Sequence, residues 1–120
     1  LPQGLLITAD KNRLDQVFTN LIDNAIKFNK DNGIVRIYVH RTDNAIKVTI
    51  EDSGLGIPEK DIPRIFERFY RVEKARSREL GGTGLGLSIV KHIIELHSGT
   101  VGVESTEGLG SKFFFIIPLY

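Results

Sequence analysis

The first clear pattern in the chain is an apolar stripe with helical spacing between residues 10 and 28. Its apolar residues recur every three or four positions, so they would lie on one side of a helix and form a buried face. Asp10 precedes the stripe, where an aspartate side chain can cap a helix N-terminus. The stripe consists of Leu14, Val17, Phe18, Leu21, Ile22, Ala25 and Ile26.

A second helical stripe covers residues 85–97, and Gly99 follows it at a place where glycine commonly ends a helix. Much of the remaining chain alternates between apolar and polar residues, which is typical of half-buried strands. Residues 33–41 and 45–52 are predicted to pair through a turn at residues 42–44.

The C-terminal part is predicted to form another hairpin, in which residues 100–105 and 112–120 flank a turn at 106–111. Residues 5–8 are a candidate fifth strand. The remaining segments lack a regular pattern: 54–58 interrupts the strands, 59–71 predicts a short helix or irregular turn, and the polar, glycine-ended segment 71–83 predicts a mobile loop.

These elements predict an α/β fold. The expected architecture is a two-layer α/β sandwich, with a mixed sheet of about five strands and three helices on one face. A chain of 120 residues suits a single domain, and residues 1–120 are taken as one. A globule of this size buries roughly 65% of its extended-chain surface, enough for a core without disulfides.

Composition excludes several classes of protein. The chain has no cysteine, so it has neither disulfides nor thiolate metal sites. No apolar run is long enough to cross a bilayer, so we expect a soluble chain. A net charge of +1 gives no reason to expect a nucleic-acid partner.

The sequence GGTGLGLS, residues 81–88, leads directly into the second helix. It is not a dinucleotide fingerprint, because Leu87 or Ile89 would stand where the third glycine belongs. A glycine-rich loop before a helix N-terminus offers backbone amides and the positive end of the helix dipole to an anion. The alternative is a flexible hinge with no ligand.

A second glycine motif, EDSGLGIP, follows the strand 45–52. Alternation places Asp52 at the end of an apolar row, where a carboxylate is costly unless it meets a hydrogen-bond donor. An adenine amino group would be such a donor, and Gly54 and Gly56 would let the ring approach the backbone. The alternative is a turn in which Asp52 caps its own backbone.

The polar face of the first helix carries Gln16, Asn20, Asn24 and Lys27, which lie about one turn apart from each other. Amide oxygens suit Mg²⁺, which is usually bound together with phosphates, and a lysine can contact phosphate as a point charge. The alternative is an ordinary solvated helix face. Together, the three motifs predict one Mg·ATP site.

At this point the sequence resembles the catalytic ATP-binding domain of bacterial sensor histidine kinases, in the gyrase–Hsp90–histidine kinase–MutL (GHKL) superfamily. The resemblance covers essentially the whole chain. In detail, the sequence is most similar to sensor kinases of the phosphate-regulon (PhoR) and cell-wall (WalK) types. It is carried by five motifs in order: DQVFTNLIDNAIKF (N box), DSGLGIP (G1 box), IFERFYR (F box), GGTGLGLS (G2 box) and TEGLGSKF (a late glycine box).

The resemblance implies a role for each matching residue. Asn24 would be the principal Mg²⁺ ligand with Asn20 supporting it, Asp52 would bind the adenine amine, and Lys27 and Arg71 would act on the phosphates in catalysis. Phe28 would pack on the nucleotide where the family often has tyrosine, and Phe66 and Phe69 would pack the base of the loop that closes over ATP. The remaining implied nucleotide contacts are Gly54, Gly56, Ile57, Arg76, Gly82, Thr83, Gly84, Leu85, Gly86 and Leu87.

The family transfers phosphate to a histidine within an H-[ED]-x-x-R-like sequence on a separate dimerisation domain. None of His40, His92 and His97 is followed by an acidic residue, so all three are expected to be structural or solvated. We therefore expect an excised, monomeric catalytic domain. The resemblance implies a homodimeric, membrane-associated parent with this domain in the cytoplasm and a response regulator downstream.

The expected function is that of a protein histidine kinase. Superfamily ATPases that hydrolyse ATP carry a glutamate at the position of Asn20, and an anti-sigma-factor-type serine kinase also tends to carry an acidic residue there. Asparagine cannot act as a general base at neutral pH. A second alternative is a nucleotide-sensing interaction module without transfer activity.

Overall fold

The computed structural model describes residues 10–70 and 85–119. Two α-helices, four strands and one 3₁₀ helix make up this part of the chain. In chain order they are α1 (Lys11–Lys27), β1 (Val35–Arg41), β2 (Ala45–Asp52), the 3₁₀ helix (Glu59–Arg64), α2 (Gly86–Leu96), β3 (Thr100–Thr106) and β4 (Gly110–Pro118).

The four strands form one sheet in the order β1-β2-β4-β3, and each of the three pairings is antiparallel. Ile50 lies directly opposite Ile37 on one side and Phe113 on the other, so these residues share a face of the sheet. The same face carries Phe115, which is 1% exposed. This inner face is therefore the floor of the core.

Helix α1 has the bounds and the cap that its sequence predicts. The Asp10 side chain accepts a hydrogen bond from the Arg13 N–H at 3.1 Å, which satisfies one of the unpaired amides of the first turn. Its stripe buries Val17, Leu21 and Ala25 against the sheet.

Helix α2 packs beside α1 on the inner face and buries Val90, Ile93 and Ile94. It ends close to the predicted position, but the left-handed residue is Ser98, with φ 61°, and not the glycine that follows. The Gly99 N–H closes the helix end on the Ile94 carbonyl at 2.9 Å.

The core lies between the two helices and the sheet. Phe18 of α1 meets Phe115 of β4 edge to face, with ring centroids 5.6 Å apart. Phe66, which follows the 3₁₀ helix, packs in the same way on Phe113 at 6.1 Å. These aromatic contacts fix both helical segments to β4.

The predicted two-layer α/β fold is confirmed, with two long helices and a short 3₁₀ helix over one sheet. The sheet of the described residues has four strands where about five were expected, and its pairings are antiparallel where a mixed sheet was expected. The candidate strand 5–8 and the predicted loop 71–83 lie outside the described residues. Within residues 10–70 and 85–119, no helix is both long and apolar enough to cross a membrane.

Candidate functional site

The C-terminal end of α1 touches the glycine loop that follows β2. The Leu55 N–H donates to the Phe28 carbonyl at 3.0 Å. A Cβ on Gly54 would collide with that same carbonyl oxygen, and it would lie 2.7 Å from the Asn29 Cα. Only glycine therefore lets the EDSGLGIP loop and the end of α1 come this close.

The other side of this glycine loop contacts the β3–β4 hairpin. The Gly108 N–H donates to the Leu55 carbonyl at 2.7 Å, and the Ile57 N–H donates to Ser105 Oγ at 2.8 Å. Gly56 has φ 69°, and a Cβ there would strike the Thr106 carbonyl. The late glycine motif thus supports the loop, which lies between the hairpin and α1.

Asp52 lies where the strand pattern predicts it, at the end of the inner apolar row of β2, and is 6% exposed. Its Oδ1 accepts the Gly54 N–H at 2.9 Å. The alternative predicted from the sequence, a turn capped by its own aspartate, is thus present. This bond uses one of the two carboxylate oxygens, so it does not exclude a ligand on the other.

Burial sets the charge behaviour of this carboxylate. Desolvation raises the pKa of Asp52 above its ordinary value, and this outweighs hydrogen bonds from the Gly54 and Ser111 backbones, which act in the opposite direction. The neighbouring charge of Glu51 adds to the increase. An ionised Asp52 is thus an acceptor held at an energetic cost, which a bound hydrogen-bond donor would reduce.

The polar face of α1 reaches the start of α2. The Asn20 Nδ2 donates to the Gly86 carbonyl at 3.3 Å, across 66 residues of sequence. Asn24, one turn later on the same face, is half-buried, and Lys27 is exposed. The structure therefore brings the polar face of α1 next to the described end of the GGTGLGLS motif.

The start of α2 is unusually open. Leu85 occupies the N-cap position without a side-chain cap hydrogen bond. Among the described residues, no atom apart from the chain neighbours and the helix's own backbone lies within 4 Å of the place where a Gly86 Cβ would be. Leu87 faces the other way and is partly buried against the core. The first turn thus combines uncapped backbone amides with open space, as an anion site requires.

A small polar cluster lies between residues 61 and 70 and consists of Asp61, Arg64, Glu67 and Tyr70. The Tyr70 hydroxyl donates to Asp61 Oδ1, and Asp61 is 5% exposed. Arg64 lies over the Tyr70 ring at 4.6 Å and pairs with Glu67, which raises the pKa of its guanidinium. Phe69 is 63% exposed and has φ 64°.

Five predicted site residues lie outside the described residues, so their positions stay predictions. The others lie in three neighbouring segments: Asp52, Gly54, Gly56 and Ile57 at the end of β2 and in the loop after it, Asn20, Asn24 and Lys27 on α1 with Phe28 directly after it, and Leu85, Gly86 and Leu87 at the start of α2, of which Leu87 packs partly against the core. The five outside are Arg71, Arg76, Gly82, Thr83 and Gly84.

Sequence reasoning missed two polar networks that hold the glycine loop. Asn29 Oδ1 accepts the Ser53 hydroxyl at 3.1 Å, and Ser53 Oγ accepts the Ile34 N–H at 2.8 Å. Ser105 and Ser111 face each other with their oxygens 2.8 Å apart. Alternation could have revealed the second network, because it places Ser105 and Ser111 in line with apolar rows of the inner face.

The predicted metal ligands are amides, and their surroundings fit a cation held mainly by phosphate. Within the two described ranges, no group of three or more His, Cys, Asp or Glu side chains converges on a point. Asn20 and Asn24 lie one turn apart on one face, beside the open start of α2. Mg²⁺ commonly binds through one or two protein oxygens plus phosphates and water, so the donor set fits it.

Comparison with known proteins identifies a family and its fold. The family model described as histidine kinase-, DNA gyrase B-, and HSP90-like ATPase matches residues 9–120. The sensor histidine kinase WalK of Bacillus subtilis (strain 168) is 41% identical over 118 residues, which are 97% of this chain and 19% of that protein. A WalK kinase of Staphylococcus aureus is 41% identical over 121 residues, 98% of this chain and 29% of that protein.

Solved structures of histidine kinases have the same fold as this chain. The mycobacterial sensor histidine kinase MprB matches with a TM-score of 0.85 and 31% identity, covering 94% of this chain and 76% of that one. The catalytic domain of histidine kinase ThkA matches with a TM-score of 0.83 and 35% identity, covering 98% and 75%. The chain thus spans most of these solved chains but less than a third of the curated relatives, and the predicted superfamily is confirmed.

Proposed function

Because the chain belongs to the histidine kinase-, DNA gyrase B-, and HSP90-like ATPase family, we propose that it binds Mg·ATP and donates the γ-phosphate to a histidine on a separate dimerisation domain. This places it in two-component signal transduction, as a protein histidine kinase. The observation that carries the proposal is the convergence of three motifs, through the Leu55–Phe28 and Asn20–Gly86 hydrogen bonds.

Asp52 is the proposed adenine-binding residue. Its burial at the end of β2 leaves a costly carboxylate facing a loop whose glycines already approach other backbone closely. The exocyclic amine of adenine would donate to this acceptor. Gly54, Gly56 and Ile57 would border the ring, and Phe28 would pack beside the nucleotide.

The phosphates are proposed to lie between α1 and the start of α2. Lys27 is the proposed cationic contact from α1, and Arg71, with Arg76, is proposed from the segment beyond the described residues. Asn24 is the proposed Mg²⁺ ligand, with Asn20 supporting it. Bound Mg²⁺ would supply neutralisation of phosphate charge, which together with positioning accounts for most of the catalysis of phosphoryl transfer.

The phosphate acceptor is proposed to lie outside this chain. His97 is engaged at both ring nitrogens: its Nε2 accepts the Asp10 N–H at 3.0 Å, so Nδ1 carries the proton and donates to the Ile93 carbonyl at 2.8 Å. His40 and His92 are exposed and lie on a strand and on the helix α2. The acceptor would attack the γ-phosphorus, release ADP and lose its ring proton to solvent.

The proposed partners follow from this division of labour. They are a dimerisation and histidine-phosphotransfer domain of the same protein, and a response regulator downstream. The resemblance to sensor histidine kinases is the ground for proposing a membrane-associated homodimeric parent with this domain in the cytoplasm, while the domain by itself is proposed to be monomeric. Residues 1–120 are proposed to form the catalytic domain alone.

The first experiment is a calorimetric titration of a non-hydrolysable Mg·ATP analogue into the wild type and into Asp52→Asn. We expect a loss of about 1–3 kcal/mol of binding free energy in the variant, the cost of an imperfectly paired buried group. Equal affinity would remove Asp52 from the site.

Transfer is then tested by supplying a purified histidine-bearing helical domain and radiolabelled ATP. Phosphohistidine on the supplied domain is the expected product. Good nucleotide binding without transfer to several such domains would instead favour a nucleotide-sensing interaction module.

A further inference from the structure

Two side-chain hydrogen bonds join α1 to α2, one near each end of the helix pair. At one end the His97 ring accepts the Asp10 N–H, and at the other end Asn20 donates to the Gly86 carbonyl. The two contacts are separated by similar lengths of helix, about 15 Å along each axis. The helices are therefore antiparallel, and only the Asn20 contact lies beside the proposed phosphates.

The first turn of α2 is held on one side, where Leu87 is partly buried against the core and Ser88 Oγ donates to the Leu85 carbonyl at 2.9 Å. The side that carries Gly86 has less support. The buried residues of this helix begin at Val90, whereas Gly86 is exposed and its N-cap residue Leu85 gives no side-chain hydrogen bond. Asn20 is half-buried and reaches this turn from the neighbouring helix. Its amide nitrogen, the one atom of the side chain that can donate, is the atom directed at the Gly86 carbonyl.

We propose that Asn20 is a positioning residue, which acts through the Gly86 carbonyl to fix the first turn of α2 against the polar face of α1. This inference rests on the proposed function and deepens it. The support that Asn20 gives to phosphate binding comes from holding the α2 amides in place, and direct ligation of Mg²⁺ is left to Asn24.

The chemistry of two substitutions separates positioning from metal ligation. An ionised aspartate cannot donate to a carbonyl, but it is a better Mg²⁺ ligand than an amide. Asn20→Asp therefore destroys a positioning contact and strengthens a ligating one. Asn20→Ala removes both, and His97→Ala removes the hydrogen bond at the other end of the helix pair without touching the site.

We would titrate a non-hydrolysable ATP analogue into the wild type and these three variants, with Mg²⁺ and again with EDTA. We expect Asn20→Ala and Asn20→Asp to weaken binding by similar factors, about threefold to tenfold, as for the loss of one hydrogen bond. The loss should be the same with and without Mg²⁺. His97→Ala should lower the melting temperature and leave the affinity unchanged.

Three results would overturn the proposal. The first is Mg²⁺-dependent binding by Asn20→Asp that equals or exceeds the wild type. The second is a loss in Asn20→Ala that disappears in EDTA. The third is an equal loss in His97→Ala, which would show that loosening the helix pair anywhere has the same effect.

A measurement without nucleotide keeps the test independent of ATP binding. Hydrogen exchange at the Ile89 and Val90 amides should be about threefold to tenfold faster in Asn20→Ala than in the wild type, and unchanged in His97→Ala. Unchanged exchange in Asn20→Ala refutes the positioning role. If exchange is faster in Asn20→Ala but the wild type binds no ATP, the positioning role stands and the proposed function is refuted.

Discussion

Glycines near the site fall into two groups according to the space around them. At Gly54, Gly56 and Gly110 a Cβ would collide with a backbone carbonyl of the protein itself, and the last two also have positive φ. At Gly86 no atom of the described residues outside its own helix would meet a Cβ, and the residue has no positive φ. The first group is therefore required by the fold, and Gly86 is available to a ligand.

Gly86→Ala should separate folding from binding. Alanine is a better helix former than glycine by up to about 1 kcal/mol, so we expect unchanged or higher thermal stability. A methyl group facing the proposed phosphates should weaken Mg·ATP binding about tenfold or more, equivalent to about 1.4 kcal/mol. Thermal melting and calorimetric titration measure the two effects.

The matched control is Gly54→Ala, which should lose stability because its Cβ meets the Phe28 carbonyl. If Gly86→Ala bound Mg·ATP as well as the wild type, the phosphates would not lie against the first turn of α2.

Asp52→Asn should stabilise the protein at neutral pH while weakening nucleotide binding. Since the folded-state pKa of Asp52 is raised, ionising this residue costs folding free energy, and the cost is fully present above the folded-state pKa. It disappears as the pH falls through that value and below the unfolded value of about 3.9. The melting-temperature advantage of the variant should therefore be larger at pH 7 than near pH 4.

Asparagine keeps an oxygen for the Gly54 N–H, so the turn itself should survive the substitution. A variant less stable than the wild type at pH 7, with no improvement at any pH, would mean that the carboxylate stabilises the fold and that its burial is not a cost held for ligand binding.

At the scale of elements, the C-terminal end of α2 has backbone strain at Ser98, next to the glycine from which the sequence predicted the helix end. Ser98 adopts a left-handed conformation with φ 61°, which costs a non-glycine residue about 1–2 kcal/mol. A glycine at this position removes the cost, but the greater freedom of its unfolded chain cancels part of the gain in stability. Ser98→Gly should thus stabilise the domain by about 0.5–1 kcal/mol, or a few degrees in melting temperature.

Two neighbouring substitutions control this prediction. Ser98→Ala keeps the cost and should melt near the wild type. Gly99→Ala should melt lower, because a Cβ there would strike the Ile116 carbonyl and come within 2.9 Å of Ile94 Cγ2. A Ser98→Gly variant no more stable than Ser98→Ala would show that the left-handed residue carries no recoverable strain.

Local signals were enough to predict the elements, but not how they meet. The apolar stripe and Asp10 predicted α1 within a residue, and alternation placed Asp52 on the inner face of β2. The sequence predicted the end of α2 from Gly99, because glycine commonly ends helices. Sequence spacing alone does not show that the left-handed residue is the adjacent Ser98. The antiparallel pairing of every described strand depends on chain crossovers, which periodicity does not encode.

The candidate site follows the same division. Its motifs were visible in the sequence because glycine, asparagine and aspartate are poorly suited to the elements in which they occur. The Asn20–Gly86 and Leu55–Phe28 contacts were not visible, since each joins residues far apart in the chain through a single hydrogen bond. The resemblance to a family supplied what the local patterns lacked, namely that the three motifs belong to one site.

At the scale of the whole molecule, we expect the proposed histidine kinase to transfer phosphate without hydrolysing ATP by itself. Activation of water needs a general base near the γ-phosphate, and the α1 position where related ATPases carry a glutamate is Asn20. The Asn20 amide nitrogen is directed at the Gly86 carbonyl. An asparagine side chain does not accept a proton at neutral pH, so it cannot serve as the base. We therefore expect negligible phosphate release from ATP by the chain alone, at any Mg²⁺ concentration.

The measurement is phosphate release by the purified chain, with and without a histidine-bearing helical domain, and with Asp52→Asn as the control for contaminating ATPases. Rapid labelling of the added domain with little free phosphate is the expected result. Release that depends on both Mg²⁺ and Asp52 in the chain alone would assign it to the hydrolysing branch of the family, and the general base would then have to lie among residues other than Asn20. Because general bases contribute roughly 10²–10⁴-fold to rate, the two outcomes are well separated.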